Sequence, residues 1–169
     1  MRHSFINPDR FVSGTVGQPG EREFFIQVKD LSRIISVALE KAQVQAIAAR
    51  LEVMVAEVRK TDPLISVAKL PNDDLPLESP IDSEFQVGAI SLAWDETSQR
   101  ISVELYELED DEEETEGDVL EIQISLSSAL AFATRSKAVV DAGRLPCPFC
   151  AIPIDPRGHL CPRANGYRR

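Results

Sequence analysis

Cysteine is missing from the first 146 residues of this 169-residue chain, and histidine occurs only twice in all of it. That scarcity excludes a disulfide framework, which would need paired half-cystines spread along the fold. No stretch approaches the roughly 20 apolar residues that cross a bilayer. The opening MRHSFINPDR has no apolar segment of signal-peptide length. The expectation is a soluble, cytoplasmic protein with no membrane attachment. Positive charge is short as well, since 18 Lys and Arg face 28 Asp and Glu, a net charge of −10. Such a body repels a phosphate backbone rather than attracting one. Also missing are a glycine-rich phosphate loop, a nucleophile elbow and a His-Glu-x-x-His pattern. No catalytic residue stands out, and His3, the one histidine outside the C-terminal segment, reads as a terminal polar residue.

What is present is ordinary globular material: 43% hydrophobic residues, enough to bury a core in a single domain. RFVSGTVG, EFFIQVK and RIISVAL are dense in Val, Ile, Phe and Thr, and Gly17, Pro19 and Gly20 supply turn chemistry between the first two. They read as three strands. A helix follows from about Glu40 to Arg59, its apolar positions Val44, Ile47, Ala48, Leu51, Val55 and Val58 recurring at steps of three and four. Pro63 stops it. Residues 61–84 carry four prolines and several acids and read as a connecting loop, with a short extended piece at LISVAKL.

The pattern then restarts. FQVGAISLAW, RISVELYEL and DVLEIQISL read as strands, and a helix runs from about Ser127 to Ala142. The expected fold is α+β: two β-β-β-α units, at about 5–60 and 85–143, joined by the linker 61–84. Their strands pair edge to edge into one antiparallel sheet with the two helices on a face. This domain fills residues 1–145, and residues 146–169 form a separate tail. In the second unit lies EDDEEETEGD, residues 109–118, with eight acids in ten positions. It lacks the spaced Asp/Asn/Gly pattern of a calcium loop, and a solvated hairpin loop is the reading that composition favours.

The tail holds all three cysteines. Their spacing is Cys147-x2-Cys150-x8-His159-x-Cys161. A Cys-x-x-Cys turn converges two thiolates on one ion, and His159 and Cys161, two apart, point to the same side of an extended segment. Four such donors close a tetrahedral shell, which favours a structural Zn²⁺ site and leaves no open position for catalysis. Five of the chain's eleven prolines fall here, so the segment forms neither a long helix nor a central strand. With few apolar groups of its own, it needs a cross-link to offset its ordering entropy. A redox dithiol at Cys147 and Cys150 is the first alternative, but such motifs sit at a helix start that Pro148 disfavours. Unliganded surface cysteines are another, and iron–sulfur ligation usually wants a fourth cysteine.

The stretches FVSGTVGQPGEREFF, SVALEKAQVQAIAARL and CPFCAIPIDPRGHLCPRANG together resemble an uncharacterised actinobacterial family of conserved repeat proteins with a domain of unknown function. The resemblance covers nearly the whole chain, and its C-terminal motif is the most specific part. It implies no catalytic residues. The family's gene neighbourhood, beside a phosphoglycerate-mutase-like phosphatase and a phosphoinositide-kinase-like protein, implies a shared pathway.

Three functions follow as expectations. The first is a zinc-stabilised interaction or regulatory module without its own catalysis, with an unidentified protein partner. The second is nucleic-acid binding through the tail. From residue 146 onward the charge is +3, and Arg163, Arg168 and Arg169 flank Tyr167 in the stacking-plus-phosphate combination that single strands use. The third is an enzyme acting on a small phosphorylated metabolite, suggested only by the resemblance.

Overall fold

The computed structural model describes residues 1–18, 20–112 and 114–142. Its elements run β1 (Arg2–Ile6), β2 (Arg10–Val16), β3 (Glu23–Asp30), β4 (Arg33–Leu39), α1 (Lys41–Thr61), β5 (Ser83–Asp95), β6 (Arg100–Glu107), β7 (Val119–Ile124) and α2 (Leu126–Asp141). The six expected strands and both helices are therefore present, in a mixed α+β arrangement. Residues 62–82 hold no strand, LISVAKL included.

The seven strands form one sheet in the order β1-β7-β6-β5-β4-β3-β2. It is not the antiparallel sheet that the sequence suggests. β1 runs parallel to β7 and β4 parallel to β5, while the other four pairings are antiparallel. The cause is a strand that the sequence reading did not place. β1 precedes the first β-β-β-α set yet adds to the last strand of the second. In the same way the start of β5 (Ser83 and Gln86) adds to β4, and after a bulge between Val87 and Ile90 the rest of β5 pairs with β6. Each set thus lends its leading residues to the other set's third strand. Hairpin logic alone yields only antiparallel joints, so both parallel ones were missed.

The two edges, β1 and β2, are consecutive in the chain and separated only by Asn7, Pro8 and Asp9. Seven flat strands would hold their edges about 29 Å apart. Four Cα steps reach at most about 15 Å. The sheet must therefore curl. A contact across the sheet agrees with this: Arg33 of β4, an interior strand four places from β1, lies 4.3 Å over the Phe5 ring of β1 and donates to the Ser4 carbonyl (3.2 Å). Asp9 accepts from the Leu31 N–H in the β3–β4 turn (2.9 Å).

Inside the curl, α1 and α2 pack against each other, and α2 also lies along β2. The expected α1 stripe is buried as a whole, with Met54 added to it. Inward residues of every strand join it in one core, including Ile26 and Val28, Val37, Ile101, Val103 and Leu105, and Leu120 and Ile122. Phe11 and Phe132 stack at 4.4 Å between β2 and α2. Gln43 fixes the bend in β5. Its Oε1 accepts from the Glu40 N–H in a reciprocal helix cap, and its Nε2 donates to the carbonyls of Val87 (3.1 Å) and Gly88 (3.0 Å).

Alternation sends the other strand faces outward, and the two halves differ there. Across β2, β3 and β4 the outer side chains are covered by the loop 62–82. Leu77 seats between Val12 and Phe25, with Ala38 and Ile81 beside it, in a second small core. Gly14 makes that seat: a Cβ there would come within 2.5 Å of Leu77 Cγ. Across β5, β6 and β7 the outer row on β5, Ala89, Ser91 and Ala93, is exposed.

Candidate functional site

The four expected metal ligands, Cys147, Cys150, His159 and Cys161, lie outside the described residues, as do Arg163, Tyr167, Arg168 and Arg169. What is described is the helix that precedes them in the chain. α2 is capped at its start by Ser125, whose side chain accepts from the Ser128 N–H (3.1 Å), and ends at Asp141. Helix C-termini leave carbonyls unpartnered and carry partial negative charge. Here Arg22, just before β3, donates to the carbonyls of Val139 (2.8 Å) and Val140 (3.4 Å). Its guanidinium also sits 5.0 Å over the Phe24 ring. The C-terminal end of α2 is therefore fixed against the segment that leads into β3. Beside it opens a groove of about 620 Å³ whose walls include Arg22, Phe24, Leu39, Glu40 and Phe85.

A second charged cluster holds the loop 62–82. Arg10 donates through Nε to Asp73 Oδ2 (2.7 Å) and through Nη2 to Asp73 Oδ1 (3.0 Å), a bidentate pair. Its remaining donors reach the carbonyls of Pro76 and Leu75. Arg135 of α2 converges on the same place, with Nη1 on the Asp73 carbonyl (2.6 Å) and Nε on the Ser13 carbonyl (2.7 Å). The Arg10 hydrogen bonds hold the Asp73 carboxyl below the ordinary carboxylate range. Burial pushes the Arg135 guanidinium down from its usual value, opposed by Asp73. Next to it, Ser13 and Ser136, both fully buried, share a hydrogen bond of 2.7 Å. These groups are occupied with one another. Every buried side-chain nitrogen and oxygen among the described residues has a partner.

The acidic run forms the β6–β7 loop, and its base is tied down. Asp118 takes the N-terminal ammonium of Met1 (2.9 Å) and faces His3 Nε2 (3.4 Å), while its own N–H donates to Glu107 Oε2 (2.7 Å). The ammonium first, and His3 after it, keep the Asp118 carboxyl below its usual range. His3 is therefore not merely a terminal polar residue, as its position suggested, but part of the contact that fastens β1 to β7. The loop acids from Glu109 to Glu112 are exposed. Among the described residues no group of three or more His, Cys, Asp or Glu side chains is placed to hold a metal ion.

Sequence reading missed Arg10, Asp73 and Arg135 because they are 63 and 62 positions apart in the chain. Only the alternation of Phe5 with its neighbours hinted at β1. On a different side, α1 and the β5–β6 hairpin enclose a groove of about 600 Å³ floored by Met54, Ile65, Leu92 and Trp94.

Fold and surface together define a curled α+β arrangement with an acidic β6–β7 loop and an α2 C-terminus held by Arg22. By sequence, the chain belongs to the family described as protein of unknown function, DUF3090, which it matches over residues 3–161. The matched span takes in all four Cys and His positions of the tail. No curated protein matches the chain, and no solved structure matches it. No helix among the described residues is long and apolar enough to cross a membrane.

Proposed function

We propose that the protein is a cytoplasmic interaction module in which the curled domain acts as scaffold and a Zn²⁺-holding tail as docking element, without catalysis of its own. Cys147, Cys150, His159 and Cys161 are the ligands. One observation carries this reading: a complete four-donor set, spaced for convergence, on a proline-rich segment that leaves a fixed helix end. The domain needs no metal to account for its core. Its buried polar groups serve to fasten loop and strands, which favours a scaffold over an enzyme. We read the two β-β-β-α sets as an internal duplication, supported by the matching order and by the reciprocal parallel joints β1–β7 and β4–β5.

The test is metal content of the purified full chain. One zinc per chain is expected, and a Cys147→Ser/Cys161→Ser variant should lose it while keeping the helix and strand signal of the domain. Metal-free protein with three freely titrating thiols would refute the reading. A salt-dependent shift of single-stranded RNA, abolished by Arg168→Glu/Arg169→Glu, would replace the protein partner with a nucleic acid.

A further inference from the structure

We infer that the groove between α1 and the β5–β6 hairpin is a docking site for an extended basic segment of a partner protein, one that carries apolar side chains beside lysine or arginine. The site uses no residue of the C-terminal segment, so the inference stands without the zinc reading.

The C-terminal half of α1 supplies one wall, with Met54 and Val58 at its base, and the end of β5 supplies the other through Leu92 and Trp94. Ile65, just beyond the helix, completes the floor. Ile65, Leu92 and Trp94 pack on the main core and remain only half-buried, so apolar surface is left for an occupant to cover. The lining runs from Arg50 to Asp62, a rise of about 18 Å along the helix. An extended chain covers that distance in about five residues, which sets the length of the segment.

Charge selects the occupant. Glu57 and Asp62, at the end of α1, and Glu96, in the hairpin turn, line the groove against Arg50 alone. The C-terminus of α1 adds partial negative charge of its own. Elsewhere on the domain Asp73 is taken by Arg10 and Arg135, Glu78 by Lys29, Glu52 by Lys137, and Glu104 and Glu121 by Arg2. Glu57, Asp62 and Glu96 form no ion pair among the described residues. The Asp62 side chain accepts only from the Leu64 N–H (3.2 Å). A basic segment supplies the missing counter-charges.

Trp94, the one tryptophan of the chain, adds a second feature that suits a cation. The hairpin's own side-chain bonds run from the Thr97 N–H and Ser98 Oγ to Asp95 and leave the indole N–H without an acceptor among the described residues. An indole face beside carboxylates holds a lysine or arginine through the ring and the acids together, and the indole N–H can donate to a backbone carbonyl of the same segment. A small cation would use the acidic end and leave the apolar floor bare. A nucleic acid would be repelled by the three acids.

The test reads Trp94 itself, whose emission reports on the groove without an added label. The full chain is titrated with a short tryptophan-free peptide, a central Leu-Phe pair flanked by lysines. A saturable shift of the emission is expected, weakening as salt is raised. Glu57→Gln/Asp62→Asn/Glu96→Gln should lower the affinity about tenfold, or about 1.4 kcal/mol, as three exposed pairs are lost together, with the circular dichroism unchanged. Glu109→Gln/Glu112→Gln, in the acidic β6–β7 loop, should change it less than about twofold. No shift, equal binding of peptides with glutamates for the lysines or serines for the Leu-Phe pair, or a greater loss from the β6–β7 loop than from the groove would overturn the inference. So would emission that shifts with protein concentration alone, which assigns the groove to a second copy. A gain of about tenfold or more on reversing Arg163, Arg168 and Arg169 to Glu would overturn it too, by assigning the groove to the chain's own tail. Metal content of the same samples tests the zinc reading separately.

Discussion

Replacing Asp73 by Asn should release the loop 62–82 by removing one charge and leaving the shape intact. In the native protein two guanidiniums, Arg10 and Arg135, with side chains only 13% and 12% exposed, converge on this carboxylate. Asn keeps one accepting arm and turns the other into a donor, which then faces a donor of Arg10. Breaking a buried pair from one side costs about 3–5 kcal/mol, whereas exposed pairs contribute about 0–1 kcal/mol. Asp73 is 33% exposed while its partners are nearly buried, so about 2 kcal/mol is the expected loss. In a chain of this size that lowers Tm by about 4–8 °C. The pH dependence gives a second reading. The Asp73 carboxyl is held below its ordinary value of 3.8, chiefly by the Arg10 hydrogen bonds. A depressed acid contributes stability that is present above the unfolded value and lost as pH falls through the folded one. The gap between native and variant protein should therefore be full at neutral pH and shrink below about pH 4. Thermal unfolding by circular dichroism at pH 7 and at a series of acid pH values measures both. A variant as stable as the native protein at pH 7, or a gap that persists unchanged in acid, would refute this account of the cluster.

Gly14→Ala should cost about 1–3 kcal/mol by overpacking, because the new methyl meets Leu77 Cγ at 2.5 Å. In a Leu77→Ala background most of that penalty should vanish, and urea unfolding of the four proteins reads the coupling; additive effects would contradict the proposed seat. Ser136→Ala should cost about 1–3 kcal/mol by leaving the buried Ser13 hydroxyl without its partner. Ser13→Ala/Ser136→Ala should be less damaging than the sum of the single changes, and a double variant that loses the full sum in a melting experiment would show that the pair is not the unit.

Local pattern carried a long way here. The α1 stripe from Val44 to Val58 follows from 3.6-residue periodicity, and β6 from the strict alternation of Ile101, Val103 and Leu105, since those signals depend only on which side of an element meets the core. β1 escaped because RHSFI is short and polar, and it becomes a strand only by adding to β7. His3 and Asp118 illustrate the same limit, being 115 positions apart. Nothing near His3 announces a carboxylate. The Arg10, Asp73 and Arg135 cluster was hidden for an equivalent reason, because a charge on a strand looks like any solvated charge until the loop that neutralises it folds over. The proposed metal ligands Cys147, Cys150, His159 and Cys161 form the opposite case. They lie within fifteen residues of one another, so their spacing is visible without any tertiary structure.

By itself, then, the sequence determined the element types, the buried stripes, and the acidic body with its basic, cysteine-bearing C-terminal segment. All of these are properties of residues close in the chain. The tertiary structure alone decided that the sheet has two parallel joints, that three residues between β1 and β2 force it to curl, and that the loop 62–82 covers the outer face of β2, β3 and β4. Those outcomes depend on which strand edges find each other across a hundred residues, and pairing between edges is set by the closure of the whole fold rather than by any local stretch.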